Sequence, residues 1–388
     1  MHELAQIIKD HISSNGPITF AEFMQLALYH EDFGYYRSER AKIGKEGDYY
    51  TSPCVHPAFG EIIGRFIHKA YKTLNTKEFT IVEMGSGKGY LALDVLDSLK
   101  RDQPEFYRHL NYLLVEISPG LIEQEKTILR GHLHKLSFLS SISEIENEEI
   151  TGILISNELL DSFPFHRLKY IKNDFQEIYV GFRNNEFTEI INSLSAIEVK
   201  GYIDRYDLEF IEGQEIEINL NAKQWLLNVS RILSKGFVVT IDYGFKATEL
   251  FAPIRTKGTY MCFYKHVANE NPYDHIGEQD ITAHVDFSNL VLAGDEVELE
   301  TVKYTTQGQF LTDWGILDII ERINIKNKAD ELSYQKHILA IKNLFLPQLM
   351  GGKFRVLIQA KNLKNKLDAF YPESPLRMSF GRSGDKYI

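Results

Sequence analysis

The segment Val82-Glu83-Met84-Gly85-Ser86-Gly87-Lys88-Gly89-Tyr90 constrains this chain more than any other stretch. It continues the apolar run Phe79-Thr-Ile-Val-Glu-Met84, which reads as a strand, and leads into residues 90–99, which read as a helix. Glycines at alternating positions let the backbone turn tightly and let a ligand approach it closely. A dinucleotide fingerprint requires Gly-x-Gly-x-x-Gly, but Tyr90 stands where the third glycine belongs. A P-loop requires Gly-Lys followed by Ser or Thr, and here Lys88 is followed by Gly89.

Charge narrows the ligand further. Glu83 ends the strand two residues before Gly85, where a carboxylate repels a pyrophosphate. A second strand ends at Glu116, 27 residues after Gly89, a position suited to gripping both hydroxyls of a ribose. S-adenosyl-L-methionine fits this pattern, because it carries an ammonium and a sulfonium and no phosphate. The plainer alternative is a tight structural turn at Gly85–Gly89 and a solvated strand end at Glu116. The register of strand, loop, helix and acidic residue favours a cofactor site.

The rest of the chain follows an α/β pattern with interruptions. Residues 1–78 read as helical, with turns at Asp32-Phe33-Gly34 and at residues 44–48. Strands at 79–84, 112–116 and 152–156 alternate with helices at 90–99 and 119–129, which implies right-handed crossovers and a parallel sheet. An antiparallel insertion is expected near 165–215. A helix at 221–233 and a buried strand at 236–242 come next, then a second insertion near 244–295. Late strands are expected at 298–304 and 354–360, with a helical insert near 310–348. Residues 79–361 would form one domain, and the polar tail 362–388 would be weakly ordered.

At 388 residues the chain exceeds the ~250–300 at which a single core stops growing, so inserted segments are expected. Its 44% apolar and 25% charged content is that of a globular protein. No apolar stretch approaches about 18 residues, so no membrane span is expected. Residues 1–16 have the spacing of an amphipathic helix and lack the h-region of a signal peptide. The net charge of −11 argues against nucleic acid as a partner. Two cysteines, Cys54 and Cys262, suggest a reducing compartment, and with no transit-like segment a cytoplasmic protein of bacterial type is expected. His132 and His134 have no cysteine or carboxylate close by in sequence; solvated histidines, not a metal site, are expected there.

Several blocks together resemble the MidA-type methyltransferases, a family that includes the mitochondrial arginine methyltransferase needed for assembly of respiratory complex I. They are Gly16-Pro-Ile-Thr-Phe-Ala-Glu-Phe-Met24, Ala27-Leu-Tyr-His-Glu-Asp-Phe-Gly-Tyr-Tyr36, Gly47-Asp-Tyr-Tyr-Thr-Ser-Pro53, Ser156-Asn-Glu-Leu-Leu-Asp-Ser-Phe-Pro164, Asp242-Tyr-Gly244, Gly258-Thr-Tyr-Met-Cys262 and Asp280-Ile-Thr-Ala-His-Val-Asp-Phe287. The resemblance runs to about Lys361; Cys54-Val-His56 departs from it, standing where relatives more often carry an acidic or small polar run. It implies a Rossmann-like class I methyltransferase sheet with a helical N-terminal segment that contributes Thr51, Ser52 and Pro53 to the cofactor site. Beside these the cofactor would meet Glu83, Gly85, Gly87, Gly89, Glu116 and Asn157. The implied acceptor is an accessible protein arginine, on a respiratory complex I subunit homologue, with symmetric dimethylation; the alternatives are methylation of a small molecule and a non-catalytic cofactor-binding assembly factor.

Methyl transfer is an in-line displacement, so the protein must align a nucleophile and stabilise charge. Arginine stays protonated up to pH ~12, and carboxylates that clamp its guanidinium can orient one nitrogen and receive charge. Glu158 and Asp161 follow the strand ending at Ser156, at the sheet edge that faces the ligand crevice. Their spacing of three would place both on one side of a helical turn. Asn157 and Asp161 read equally well as turn and cap residues. Asp242 ends an apolar strand and could cap the turn at Gly244. His284 is expected on a helix, buried and hydrogen-bonded, with proton acceptance near the substrate as its functional alternative. The aromatic residues Phe33, Tyr35, Tyr36, Tyr49 and Tyr50 read as packing.

Overall fold

Alternate residues of each central strand feed two different cores. The computed structural model describes residues 3–37, 51–147, 149–326, 330–363 and 370–371. The turn expected at residues 44–48, the tyrosines Tyr49 and Tyr50, and most of the tail lie outside them. Among the described residues the central sheet contains β1 (Phe79–Met84), β2 (Leu110–Val115), β3 (Leu136–Leu139), β4 (Ile150–Asn157), β5 (Leu233–Phe245), β6 (Glu300–Thr306) and β7 (Phe354–Lys361). Their order across the sheet is β6-β7-β5-β4-β1-β2-β3. Strands β1 to β5 run parallel, and β7 is antiparallel to both β5 and β6. The two-residue strand Val285–Asp286 pairs with the end of β5.

The side-chain period of two is explicit in β5. Phe237, Val239 and Ile241 join a core with Phe59, Ile63 and Phe66 of the helix Ala58–Leu74, whereas Val238 joins Trp225, Leu226 and Val229 of the helix Leu220–Ile232. Helices therefore cover both faces, as an all-parallel stretch of sheet requires. The apolar, uncharged centres of β4 and β5 put polar residues at their carboxyl ends, Asn157 and Glu158 after β4 and Asp242 late in β5.

The N-terminal region departs from an all-helical reading. Ile18–Thr19 is a strand that pairs antiparallel with the strand Asp174–Arg183. Pro17 disfavours a helix running through from Asn15, and buried Ile18 fits the pleated edge. Thr19 then caps the helix Phe20–Tyr29 by accepting from the Glu22 N–H. Residues 166–218 form an antiparallel sheet from His166–Ile171, Asp174–Arg183, Glu186–Asn192 and Glu215–Ile218. Its Asn184-Asn185 hairpin carries positive φ at both residues, the geometry of a type I′ turn.

Three local expectations are corrected. His284 is not helical; it sits between the strand Asp280–Thr282 and Val285–Asp286, and Asp286 caps the helix Phe287–Glu296 that follows. His132 is not solvated. It is 2% exposed, with Tyr107 Oη 2.7 Å from Nδ1 and Asp97 Oδ1 3.0 Å from Nε2. Within the tail, expected to be weakly ordered, Phe370 is buried against Phe66 and stacks 4.4 Å from Phe237. Among the described residues no helix is long and apolar enough to cross a membrane, and no group of three ligating side chains could hold a metal.

Candidate active site

The glycine loop closes one wall of a cavity of about 300 Å³ at the carboxyl ends of β1, β2 and β4. Gly85, Gly87 and Gly89 all have left-handed φ, of 68°, 60° and 77°. Gly85 and Gly87 line the cavity. Gly89 does not; it is the N-cap of the helix Tyr90–Asp102. Glu116 lines the cavity beside the loop, its carboxylate accepting from the Gly87 N–H at 3.0 Å and the Ser118 N–H at 2.9 Å. These bonds tie the loop to the end of β2. Glu83 also lines the cavity and accepts from the Tyr112 hydroxyl at 2.5 Å.

Glu158 stands where the chain leaves β4. Its φ of 53° is left-handed, an uncommon state for a residue with a side chain and one that persists only when its surroundings enforce it. Those surroundings are visible. The Glu158 N–H donates to the Ile241 carbonyl at 2.8 Å. Asp242 then gathers the turn: its Oδ2 accepts from the N–H groups of Leu159, Leu160 and Asp161 at 3.2, 3.0 and 3.3 Å. Asp242 therefore caps the turn after β4, not the turn at Gly244. The Glu158 carboxylate opens on the cavity, and its Oε1 accepts from the Ser52 N–H at 2.9 Å and the Asn157 amide at 3.1 Å.

Glu158 and Asp161 do not share a regular helical turn; a short 3₁₀ segment, Leu160–Ser162, carries Asp161. Asp161 lies behind the cavity wall, buried, with Oδ1 lacking a hydrogen-bond partner. The Tyr243 hydroxyl donates to the same carboxylate. Ser52 likewise turns away from the cavity, its hydroxyl donating to Gln307 at 3.2 Å, while Thr51 and Pro53 line the space. Asn157 lines it too, with a buried Oδ1 that has no partner. His284 stands outside the cavity, against the rings of Tyr243 and Phe245.

The sequence reading missed two parts of the wall. Ser140, Ser141 and Ile142 close the space after β3, and the rule that strand carboxyl ends face the crevice would have found them. Tyr29 and Tyr36 close it from the N-terminal region; of these Tyr36 is among the aromatic residues expected only to pack. Tyr29 donates to the Ser162 carbonyl at 3.1 Å and Tyr36 to Asp280 at 2.6 Å, so each ties the N-terminal region to segments that follow β4 and β5. Tyr35, by contrast, is fully buried in the core.

Enclosure by protein pushes Glu158 up to about 8, the nearby Asp161 adding to the effect. Burial likewise pushes Glu83 to about 8, Glu125 beneath the loop to about 8, and Asp161 to about 6. A carboxyl raised in this way stabilises the fold fully below its unfolded value of about 4.5 and loses that contribution as pH rises to its folded value. Burial holds His56 and His284 down at about 4, so their opposing contribution ends near pH 6.5. The unliganded protein should therefore lose several degrees of thermal midpoint between pH 6.5 and 8. Differential scanning calorimetry across that range checks this, and a flat or rising midpoint contradicts it.

The donor set suits S-adenosyl-L-methionine. Three carboxylates, Glu83, Glu116 and Glu158, and the unpaired Asn157 carbonyl oxygen offer acceptors for an ammonium and for ribose hydroxyls. Among the described residues Lys88 is the one cationic side chain in the lining, beside three acidic ones.

A parallel sheet whose seventh strand inserts antiparallel between the fifth and sixth, with a glycine loop after its first strand and an acidic residue after its second, is that of a Rossmann-like class I methyltransferase. A family model described as "Putative S-adenosyl-L-methionine-dependent methyltransferase" matches residues 62–305, and the chain belongs to that family. It is an S-adenosyl-L-methionine-dependent methyltransferase. The mouse mitochondrial protein arginine methyltransferase NDUFAF7 is 26% identical over 370 residues, covering 88% of this chain and 81% of the relative. Its Caenorhabditis elegans homolog is 24% identical over 382 residues, covering 91% and 85%. A Burkholderia thailandensis crystal structure bound to S-adenosyl-homocysteine superposes with a TM-score of 0.85 at 27% identity, covering 96% of this chain and 95% of that one. The expected cytoplasmic location is overturned, because these curated relatives are named as mitochondrial proteins.

Proposed function

We propose that this methyltransferase acts on an arginine side chain of a protein, of the respiratory complex I subunit type that the family resemblance implies. The observation that carries this reading is the Glu158 carboxylate on the cavity wall, with Asp161 and Asp242 buried behind it at the carboxyl ends of β4 and β5. A guanidinium stays charged at working pH and presents a planar fork of donors that carboxylates can grip at two points. The names of the curated relatives support the same acceptor.

The backbone of Gly85 and Gly87 and the side chains of Glu83, Glu116 and Asn157 would hold the cofactor, with Thr51 and Pro53 at its edge. Bound there, S-adenosyl-L-methionine supplies a methyl group on a sulfonium, open to in-line displacement by the acceptor nitrogen. Ser52 and Asn157 occupy Oε1 of Glu158, which leaves Oε2 to meet the guanidinium. Glu158 orients the reacting nitrogen and takes its proton at Oε2, as its raised proton affinity equips it to do. Asp242 holds the Glu158 turn through backbone N–H groups. Asp161 adds negative charge behind it.

Glu116→Ala removes the proposed ribose contacts and the tie to Gly87. Cofactor affinity should fall by ~1.5–3 kcal/mol, as for hydrogen bonds to a charged group. Calorimetric titration with S-adenosyl-homocysteine checks this; an unchanged affinity removes Glu116 from the site. The acceptor is tested with one protein substrate in two versions that differ only at the methylated residue. Lysine in place of arginine should abolish transfer despite equal charge, because it has no planar fork to offer. Equal transfer to both versions contradicts the arginine reading.

A further inference from the structure

We infer that Arg255 and Arg355 form a carboxylate-binding subsite that recognises an acidic side chain flanking the methylated residue; this rests on the reading that the acceptor is a protein segment. The subsite begins where the acidic cluster ends. Beyond Asp242, β5 continues through Tyr243, Gly244 and Phe245. Tyr243 and Phe245 are two residues apart and project to the same side of the strand. The His284 ring lies 5.4 Å from each of them, all three side chains are half-buried, and the Tyr243 hydroxyl reaches back to the buried Asp161.

Two guanidiniums stand at the Phe245 end of these three side chains. Arg255 lies 4.4 Å from the centre of the Phe245 ring and Arg355 lies 5.3 Å from it. Both are half-buried. Arg355 stands opposite Asp242 in the β5–β7 ladder, yet it donates to the Gly352 carbonyl at 2.6 Å and turns to the ring. Arg255 donates from Nε to the Glu249 carbonyl at 3.0 Å. Arg355 also reaches the Tyr304 hydroxyl, and among the described residues no carboxylate pairs with either guanidinium. In a chain of net charge −11 these two arginines share one aromatic ring, and an anion placed against them would complete the pair.

The chemistry of the pair selects the anion. Stacking on an aromatic face holds a guanidinium in a fixed plane, and a planar fork matches a carboxylate at two points. Burial and these two arginines together hold His284 down at about 4, so it is neutral at working pH and the positive charge belongs to the arginines. Reach selects the source. Phe245 is three residues from Asp242, about 10 Å of extended strand, so an acceptor chain lying alongside would bring a residue one to three positions from its target arginine to the pair.

The test uses nonapeptides acetylated and amidated at their ends, with a central arginine and one glutamate at each flanking position in turn, against glutamine counterparts. The flanking side chain is then the sole carboxylate. Binding is read by fluorescence polarisation with S-adenosyl-homocysteine present. At one or more positions the glutamate peptide should bind roughly tenfold more tightly than its counterpart. Arg355→Gln should remove that preference, and the double variant Arg255→Glu/Arg355→Glu should transfer it to lysine-flanked peptides. Both should keep the calorimetric affinity for S-adenosyl-homocysteine, which shows that they fold. Equal or absent binding of all glutamate and glutamine peptides overturns the inference, as does a wild-type preference in the double variant. A glutamate preference without methyl transfer to arginine leaves the subsite standing and removes the arginine reading.

Discussion

Glu158→Gln should lower methyl transfer roughly 100- to 1000-fold, the range expected when a general base is lost, while affinity for S-adenosyl-homocysteine stays nearly unchanged. Glutamine keeps the shape of the side chain. Its carbonyl oxygen can still accept from the Ser52 N–H and the Asn157 amide, so the turn stays closed. The charge facing the guanidinium and the ability to take a proton are lost. Because burial pushes Glu158 up to about 8, the wild-type kcat/KM should climb as pH rises to that value, and this limb should vanish in the variant. Stopped assays at fixed cofactor across pH 6 to 9 read both effects. Normal turnover in the variant would make Glu158 a structural residue and move the chemistry elsewhere.

Gly85→Val should abolish cofactor binding. A Cβ at this position would lie 2.9 Å from the Leu159 Cδ1, and the φ of 68° strains any branched side chain. The clash is with a flexible side chain that itself lines the cavity, so relief would push Leu159 into the space the cofactor needs. An affinity loss beyond 100-fold is expected, more than ~2.7 kcal/mol. Circular dichroism should show a folded protein, because the strand before the loop and the helix after it do not depend on this side of Gly85. Normal affinity in calorimetry would remove the glycine loop from the site.

The parts of the fold that local sequence specifies were legible. The apolar run into Glu83, the alternating glycines and the helix from Tyr90 form one contiguous signal, as do the Asn184-Asn185 turn and the buried run of β5. The cavity wall was legible where a strand end announces it, at Glu83, Glu116, Asn157 and Glu158. It was opaque where contact depends on distant segments. Asp242 meets Leu159, Leu160 and Asp161 across more than 80 residues, and nothing near Asp242 in sequence reveals that three N–H groups converge on it. The resemblance implies a cofactor contact at Ser52 as at Thr51 and Pro53, yet its hydroxyl is drawn to Gln307. His284 sits among residues with helical character, but the pairing of Val285 with Gly244 pulls the segment into the sheet. His132 has no partner within its own segment; Tyr107 and Asp97 reach it from the preceding helices.

The central claim is that this chain moves a methyl group from S-adenosyl-L-methionine to a protein arginine. Its most direct test is incubation of the purified protein with a deuterated methyl donor and a cell extract, followed by fragment-ion mass spectrometry of the proteins and a parallel survey of metabolites. The account predicts label on the terminal guanidinium nitrogens of an arginine, dependent on intact Glu158. Label confined to a small metabolite, with none on protein, would contradict it.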